Sequence, residues 1–83
     1  MAAQPTFVSF NKAEVATTNV ATTLGGGYAD GFIVADTLVG GATVTLADGG
    51  TIAIGAQTLG TFVPLRCTKV VFGAGSLVFV QAN

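Results

Sequence analysis

The chain has 83 residues, which is the length of one small domain. Three Lys or Arg and four Asp or Glu make up only 8% of it, against about 25% in an average soluble domain. The chain has no His and a single Cys, so the sequence excludes an intrachain disulfide and argues against a zinc site. Nucleic-acid binding needs a basic face, and three cations over 83 residues argue against one. We therefore expect no cofactor and no nucleic-acid partner.

The hydrophobic content predicts association with other polypeptides. Hydrophobic residues make up 51% of the chain before its 12 glycines are counted. A domain of this size buries only about 60–65% of the surface of its unfolded chain. Because so few charges cannot cover the remainder, large apolar patches should stay exposed, and such patches usually mark contact sites.

A membrane does not account for this hydrophobicity. A spanning helix needs about 20 mostly apolar residues, and the longest charge-free stretch, 49–65, is interrupted by four glycines and one proline. The N-terminus lacks the basic start and apolar run of a signal peptide. We expect cytoplasmic synthesis and no membrane partner.

The first part of the chain differs from the rest. Residues 1–27 contain a Thr, Ala and Asn-rich stretch that ends in the triple glycine 25–27, which we predict to be a loop. We interpret 1–27 as an extended N-terminal arm with one or two short strands. The alternative is a helix over 11–18, with Asn11 as its cap and Glu14 three residues later.

Residues 28–83 show short strands about ten residues apart, separated by Gly, Asp and Thr. The predicted strands are 31–36, 42–47, 51–55, 61–72 and 76–81. Pro64 cannot donate to a strand ladder, so we expect a break there, with 65–72 as the true strand. The pattern predicts an all-β fold, a small antiparallel β-sandwich or barrel-like domain.

The segment "ATVTLADGGTIAIG" predicts a hairpin with an odd loop. A three-residue loop at 48–50 would set Leu46 opposite Ile52 and Val44 opposite Ile54, which keeps the apolar residues on one face. The second face would then carry Thr43, Thr45, Thr51 and Ala53. Such a face is flat and uncharged, and it suits close packing on a neighbour.

The last two strands differ in the polarity of their faces, and only the final one is apolar on both. In the first, one face would carry Val63, Leu65, Cys67 and Val71, and the other Arg66, Thr68 and Val70. In the second, Leu77 and Phe79 would alternate with Val78 and Val80. A strand that is apolar on both sides is typically buried twice, so we predict an oligomer interface that contains Val63, Leu65, Arg66, Lys69, Val78 and Val80.

No catalytic arrangement is visible, and we predict that the protein is not an enzyme. Asp30, Asp36 and Asp48 lie in or beside turns, where carboxylates usually bond the local backbone. Cys67 is predicted to be a small buried residue. Two interpretations stay open for Arg66 and Lys69. Each could be a solvated charge, or one of them could form an ion pair with an Asp of a neighbouring subunit.

Three segments together resemble a known family. They are Gly31-Phe32-Ile33-Val34, the hairpin at 42–52, and Gly60-Thr61 followed by Pro64, Arg66, Lys69 and Val70. In order and spacing this run is similar to the small head proteins of tailed phages and gene-transfer agents, the short spike-base or decoration polypeptides. The resemblance covers about 50 residues, and it carries over no catalytic residue.

The resemblance implies a capsid decoration or cement protein on the exterior of a virion. Its partners would be the major capsid protein and further copies of itself, a trimer first and a pentamer second. The arm would contact the capsid through Phe7, Val8, Phe10, Val15 and Val20. Two alternatives stay open: a head-spike base, neck or tail component of the same virion, and a surface or adhesive fibril subunit with a long unprotected edge strand.

Overall fold

A computed structural model describes residues 10–82, and it confirms the all-β fold. The strands are β1 (Lys12–Val15), β2 (Gly31–Asp36), β3 (Ala42–Leu46), β4 (Thr51–Ile54), β5 (Phe62–Val63), β6 (Cys67–Phe72) and β7 (Ser76–Gln81). They form two antiparallel sheets, one with the order β1-β7-β2-β5 and the other with the order β4-β3-β6. The break expected near Pro64 is present between β5 and β6.

One hydrophobic core lies between the two sheets. Its largest fully buried side chains are Phe32, Phe79, Leu38, Leu77, Val34, Val44, Val70 and Cys67. Burial of each Phe, Leu or Val side chain contributes about 1.5–3 kcal/mol relative to exposure. The expected burial of Cys67 and the expected orientation of Leu77 and Phe79 on one face of β7 are both confirmed.

The hairpin register differs from the prediction by two residues. Val44 pairs with Ile52 and Ala42 with Ile54, so the predicted pairing of Leu46 with Ile52 is wrong. The loop is 47–49, closed by the bond from the Leu46 N–H to the Gly50 carbonyl. Gly49 has φ +99°, the left-handed geometry that a three-residue loop requires at its last position. The loop is odd, as expected, and the two faces keep their predicted residues.

A β-bulge overturns the predicted faces of β6. Thr45 pairs with Lys69 but Leu46 pairs with Cys67, so one extra residue of β6 lies between these two pairs. The extra residue reverses the alternation beyond it. As a result Val70, not Val71, joins Cys67 in the core, and Val71 is 43% exposed.

The N-terminal segment packs on the body from Phe10 onward. β1 pairs with β7 along its length, so the alternative helix over 11–18 is wrong. Beyond β1, Asn19 and Thr22 donate backbone hydrogen bonds to the carbonyls of Val70 and Thr68, and the chain thereby covers the outer edge of β6. The triple glycine forms a loop with a single 3-10 turn. Residues 10–27 therefore contribute a strand to the four-stranded sheet and cover one edge of the three-stranded sheet.

Candidate interaction surface

A row of apolar side chains crosses the four-stranded sheet on the side that faces away from the core. The register aligns Val15 of β1 with Val78 of β7, Val78 with Ile33 of β2, and Ile33 with Phe62 of β5. Because side chains alternate along a strand, this row lies on the face of the sheet opposite to the one that carries the buried Phe32 and Phe79. A second row, Ala13 and Val80, runs beside it.

We call these six residues the outer face: Ala13, Val15, Ile33, Phe62, Val78 and Val80. Val15 is 73%, Phe62 41% and Ile33 37% exposed. None of the six is charged, and the register brings one carboxylate, Asp36, to the end of this side of the sheet. An apolar sheet face of this kind on a small domain is typical of a contact surface.

The residues expected to contact a capsid are only partly brought together. Phe10 packs against Phe62, with ring centroids 5.3 Å apart and planes tilted by 56°, and so adjoins the outer face. Val15 is part of the outer face, whereas Val20 is 52% exposed in the segment that runs along β6. Phe7 and Val8 lie outside the described residues.

The six residues predicted for an oligomer interface do not share one surface. Val63 and Leu65 pack against the core, and Lys69 lies across from Thr45 on the other sheet. Val78 and Val80 belong to the outer face, but Val80 is only 5% exposed within its own chain and offers little area to a partner. The interface therefore stays a prediction, and the geometry divides its residues between the two sheets.

Arg66 has its ionic partner within the same chain. Its guanidinium lies 3.5 Å from an Asp30 carboxylate oxygen and 5.0 Å from the centre of the Tyr28 ring. The other Asp30 oxygen accepts the N–H of Ala82 at 2.8 Å. Because the side chain of Arg66 is 65% exposed, this ion pair contributes little to the stability of the fold. The intersubunit ion pair considered for Arg66 would have to compete with this intrachain one.

A shallow groove joins this ion pair to the outer face. It has a volume of about 330 Å³ and is lined by Phe10, Asp30, Phe62, Pro64 and Arg66. Phe62 belongs to both the groove and the outer face. The groove therefore extends the apolar surface toward one charged pair.

The outer side of the other sheet is more polar. It carries Thr43, Thr45, Thr51, Ala53, Val71 and Lys69. The predicted Thr and Ala face of the hairpin is part of this side.

The apolar outer face of the four-stranded sheet was not predicted from the sequence. The segment "GFIV" contained a signal for it, because Ile33 is an apolar residue between two core residues and must therefore point away from the core.

The described residues give no indication of catalytic chemistry. Among 10–82 there is no group of three or more His, Cys, Asp or Glu side chains that could hold a metal ion. Burial raises the pKa of the Cys67 thiol to about 11, which keeps it protonated and unreactive at neutral pH. Asp36 accepts the neighbouring N–H of Thr37 at 2.9 Å, as expected for a turn carboxylate.

Across the part of the chain that the structure describes, no helix has the length and hydrophobicity needed to cross a membrane.

Comparisons of the chain with protein-family models, curated proteins and solved structures find no match.

Proposed function

We propose that this chain is a structural protein of a virion, a decoration or cement protein that binds the outside of a phage head as a homo-oligomer and staples capsid subunits. Its partners would be the major capsid protein and further copies of itself, and it would have no enzymatic activity. The observation that supports the proposal best is the outer face, where four strands each contribute one apolar residue to a row whose members Val15, Ile33 and Phe62 are exposed.

The physical chemistry of the outer face suits this role. Uncharged side chains on a sheet face can pack against another protein without leaving a buried charge unpaired. The outer face has six residues, whereas a stable interface uses about 20–30 residues on each side. A shell with many equivalent positions compensates for this, because multivalent attachment multiplies weak contacts.

The alternatives differ in what they require. A spike-base, neck or tail component would use the same surface at another position on the particle. A fibril subunit requires a long unprotected edge, whereas the edge strands β1 and β4 have four residues each and β5 has two. The six-residue edge strand β6 is covered by the chain itself, through the backbone of Asn19 and Thr22. The short edges favour attachment through a face over growth of a fibre.

The experiment is cosedimentation of the purified full chain with heads of the particle that encodes it, prepared without this protein. We expect saturable binding to the heads and, by electron cryomicroscopy, density on their exterior. The variant Ile33→Lys places a charge in the outer face and should reduce binding by at least tenfold, about the effect of 1.4 kcal/mol.

The matched control is Thr43→Lys, which adds the same charge to an exposed site on the other sheet. It should bind as the unmodified chain does, and circular dichroism would establish that both variants are folded. Density at the neck or tail would favour the alternative from the same virion. Absence of binding to any part of the particle would overturn the proposal.

A further inference from the structure

The edge strand β1 has backbone groups with which no residue among 10–82 pairs. Its register with β7 and the bond from the Ala16 N–H to the Leu77 carbonyl direct the backbone groups of Lys12, Glu14 and Ala16 toward β7. Hydrogen-bonded and non-hydrogen-bonded positions alternate along an antiparallel pair. The N–H and carbonyl groups of Ala13 and Val15 therefore point away from the sheet.

These outward groups are an open template for another strand. Within residues 10–82 no backbone or side-chain group bonds to them, since β7 is the only strand that pairs with β1. The chain closes the comparable edge of β6 itself, through Asn19 and Thr22. An unpaired edge is a site at which a further strand adds readily.

The side chains of β1 indicate which strand fits. Lys12 and Glu14 lie two residues apart on the same side of the strand, one cation and one anion around Ala13. If a copy of β1 runs antiparallel about a two-fold axis at Ala13, each Lys12 faces Glu14 of the second copy. Opposite charges at directly paired positions stabilise a sheet, and like charges destabilise it.

We propose that β1 pairs with β1 of a second copy of this chain, in the antiparallel register centred on Ala13. The N–H of each Ala13 donates to the carbonyl of Ala13 in the other copy. Lys12 and Glu14 occupy a non-hydrogen-bonded pair, where side chains come closest. Two cross-strand ion pairs then flank the axis.

The charges select this register over its neighbours. A two-fold axis at Glu14 also brings outward backbone groups together, but it sets Glu14 against its own copy. An axis at Lys12 sets Lys12 against its own copy. Only the axis at Ala13 gives two attractive pairs, and the carboxylate of Glu14 is already held in position by Thr22 and Thr23.

The pairing has a consequence for assembly. It joins two four-stranded sheets into one and makes the two outer faces a single apolar surface, with Val15 of each copy near the axis. A two-fold contact gives an even number of subunits, in contrast to the trimer or pentamer expected from the resemblance. The inference rests on the self-association part of the proposed function and does not depend on capsid binding.

Sedimentation equilibrium of the full chain tests the pairing. We expect a dimer, with twice the 8.2 kDa of one chain. Lys12→Glu places carboxylates opposite each other at both positions, and Glu14→Lys does the same with ammonium groups. Each should weaken the dimer about tenfold at low salt, and an equimolar mixture should recover affinity because a heterodimer regains both ion pairs.

Variants of Ala13 keep the test decisive if Glu14→Lys does not fold. Ala13→Pro removes an outward N–H that β7 does not use, whereas Ala13→Val keeps it. We expect Ala13→Pro alone to abolish the dimer, with both variants folded. A monomer at all concentrations, or a dimer unaffected by Lys12→Glu and Ala13→Pro, would overturn the inference.

Amide hydrogen exchange identifies what covers the edge. In the dimer the amides of Ala13 and Val15 become protected as concentration rises. Protection of these amides in a chain that sediments as a monomer would mean that another part of the same chain covers β1, and it would overturn the proposal. A dimer with protected amides that fails to bind heads would support the pairing and contradict the proposed function.

Discussion

The hydroxyl group of Thr18 donates a hydrogen bond to the carbonyl of Phe72 and accepts one from the N–H of the same residue, each at 2.9 Å. Fifty-four positions separate the two residues in the chain. One side chain thus takes the place of a strand residue at the outer edge of β6. Together with Asn19 and Thr22, it holds the N-terminal segment against the second sheet.

Replacement of Thr18 by Val should loosen this attachment. The variant keeps the shape of the side chain but loses both hydrogen bonds, and we expect the free energy of unfolding to fall by about 1 kcal/mol. Urea denaturation followed by circular dichroism measures the change. Thr17→Val is the matched control, because the exposed Thr17 hydroxyl has no hydrogen-bond partner among residues 10–82. Equal losses in the two variants would contradict the role of Thr18.

Glu14 should make stability depend on pH. The side-chain hydrogen bonds from Thr23 and then Thr22 lower the pKa of the Glu14 carboxyl below its ordinary value of 4.5. A carboxyl with a lower pKa in the folded state stabilises the protein above the unfolded pKa, and this contribution is lost as pH falls through the folded value.

The measurement is the unfolding midpoint in urea from pH 7 down to pH 3. The difference between the unmodified chain and Glu14→Gln should be constant above about pH 5 and should shrink below pH 4.5. Asp48→Asn, in the exposed hairpin loop, serves as a control for the general loss of negative charge. A difference that stays constant to pH 3 would exclude the assigned role of the carboxylate.

Gly75 should tolerate no side chain. Its φ is +105°, and a Cβ there would collide with the backbone carbonyl of Thr37. Gly75→Ala should therefore lower the free energy of unfolding by about 2–3 kcal/mol. Gly73→Ala, in the same turn, meets nothing within 4 Å and has no positive φ, so its effect should stay within about 1 kcal/mol. Thermal unfolding of the two variants compares them directly.

Cys67 should be inert in the folded protein. Burial raises the pKa of its thiol to about 11 from 9.0, and its side chain is fully buried. We expect no reaction with Ellman's reagent at pH 8 until the chain is unfolded in urea, where one thiol should react. Rapid reaction in the folded state would show that the region around β6 opens easily.

The same pKa shift predicts a loss of stability at high pH. The thiolate forms more readily in the unfolded chain, so stability should decline as pH rises above about 9. Cys67→Ala removes the ionisable group and should show a smaller decline. The free energy of unfolding between pH 8 and pH 10 checks this.

The sequence by itself determined the all-β class, most strand positions and the scarcity of charge. Alternation of apolar and polar residues fixes which residues of β3 and β4 share a face, because a slip of one residue would expose the whole apolar set. It also places Leu77 and Phe79 together on the core side of β7. These features depend on neighbours in the chain, which a sequence displays.

Only the tertiary structure decided where the alternation is interrupted and what pairs across the sheets. The bulge in β6 exchanges Val70 for Val71 in the core, and it depends on how β6 meets β3. The pairing of Arg66 with Asp30 joins residues 36 positions apart, and the apolar row of the outer face takes one residue from each of four strands. Such contacts arise from the order of strands in the sheet, because strands that are neighbours in space, such as β1 and β7, lie at opposite ends of the chain.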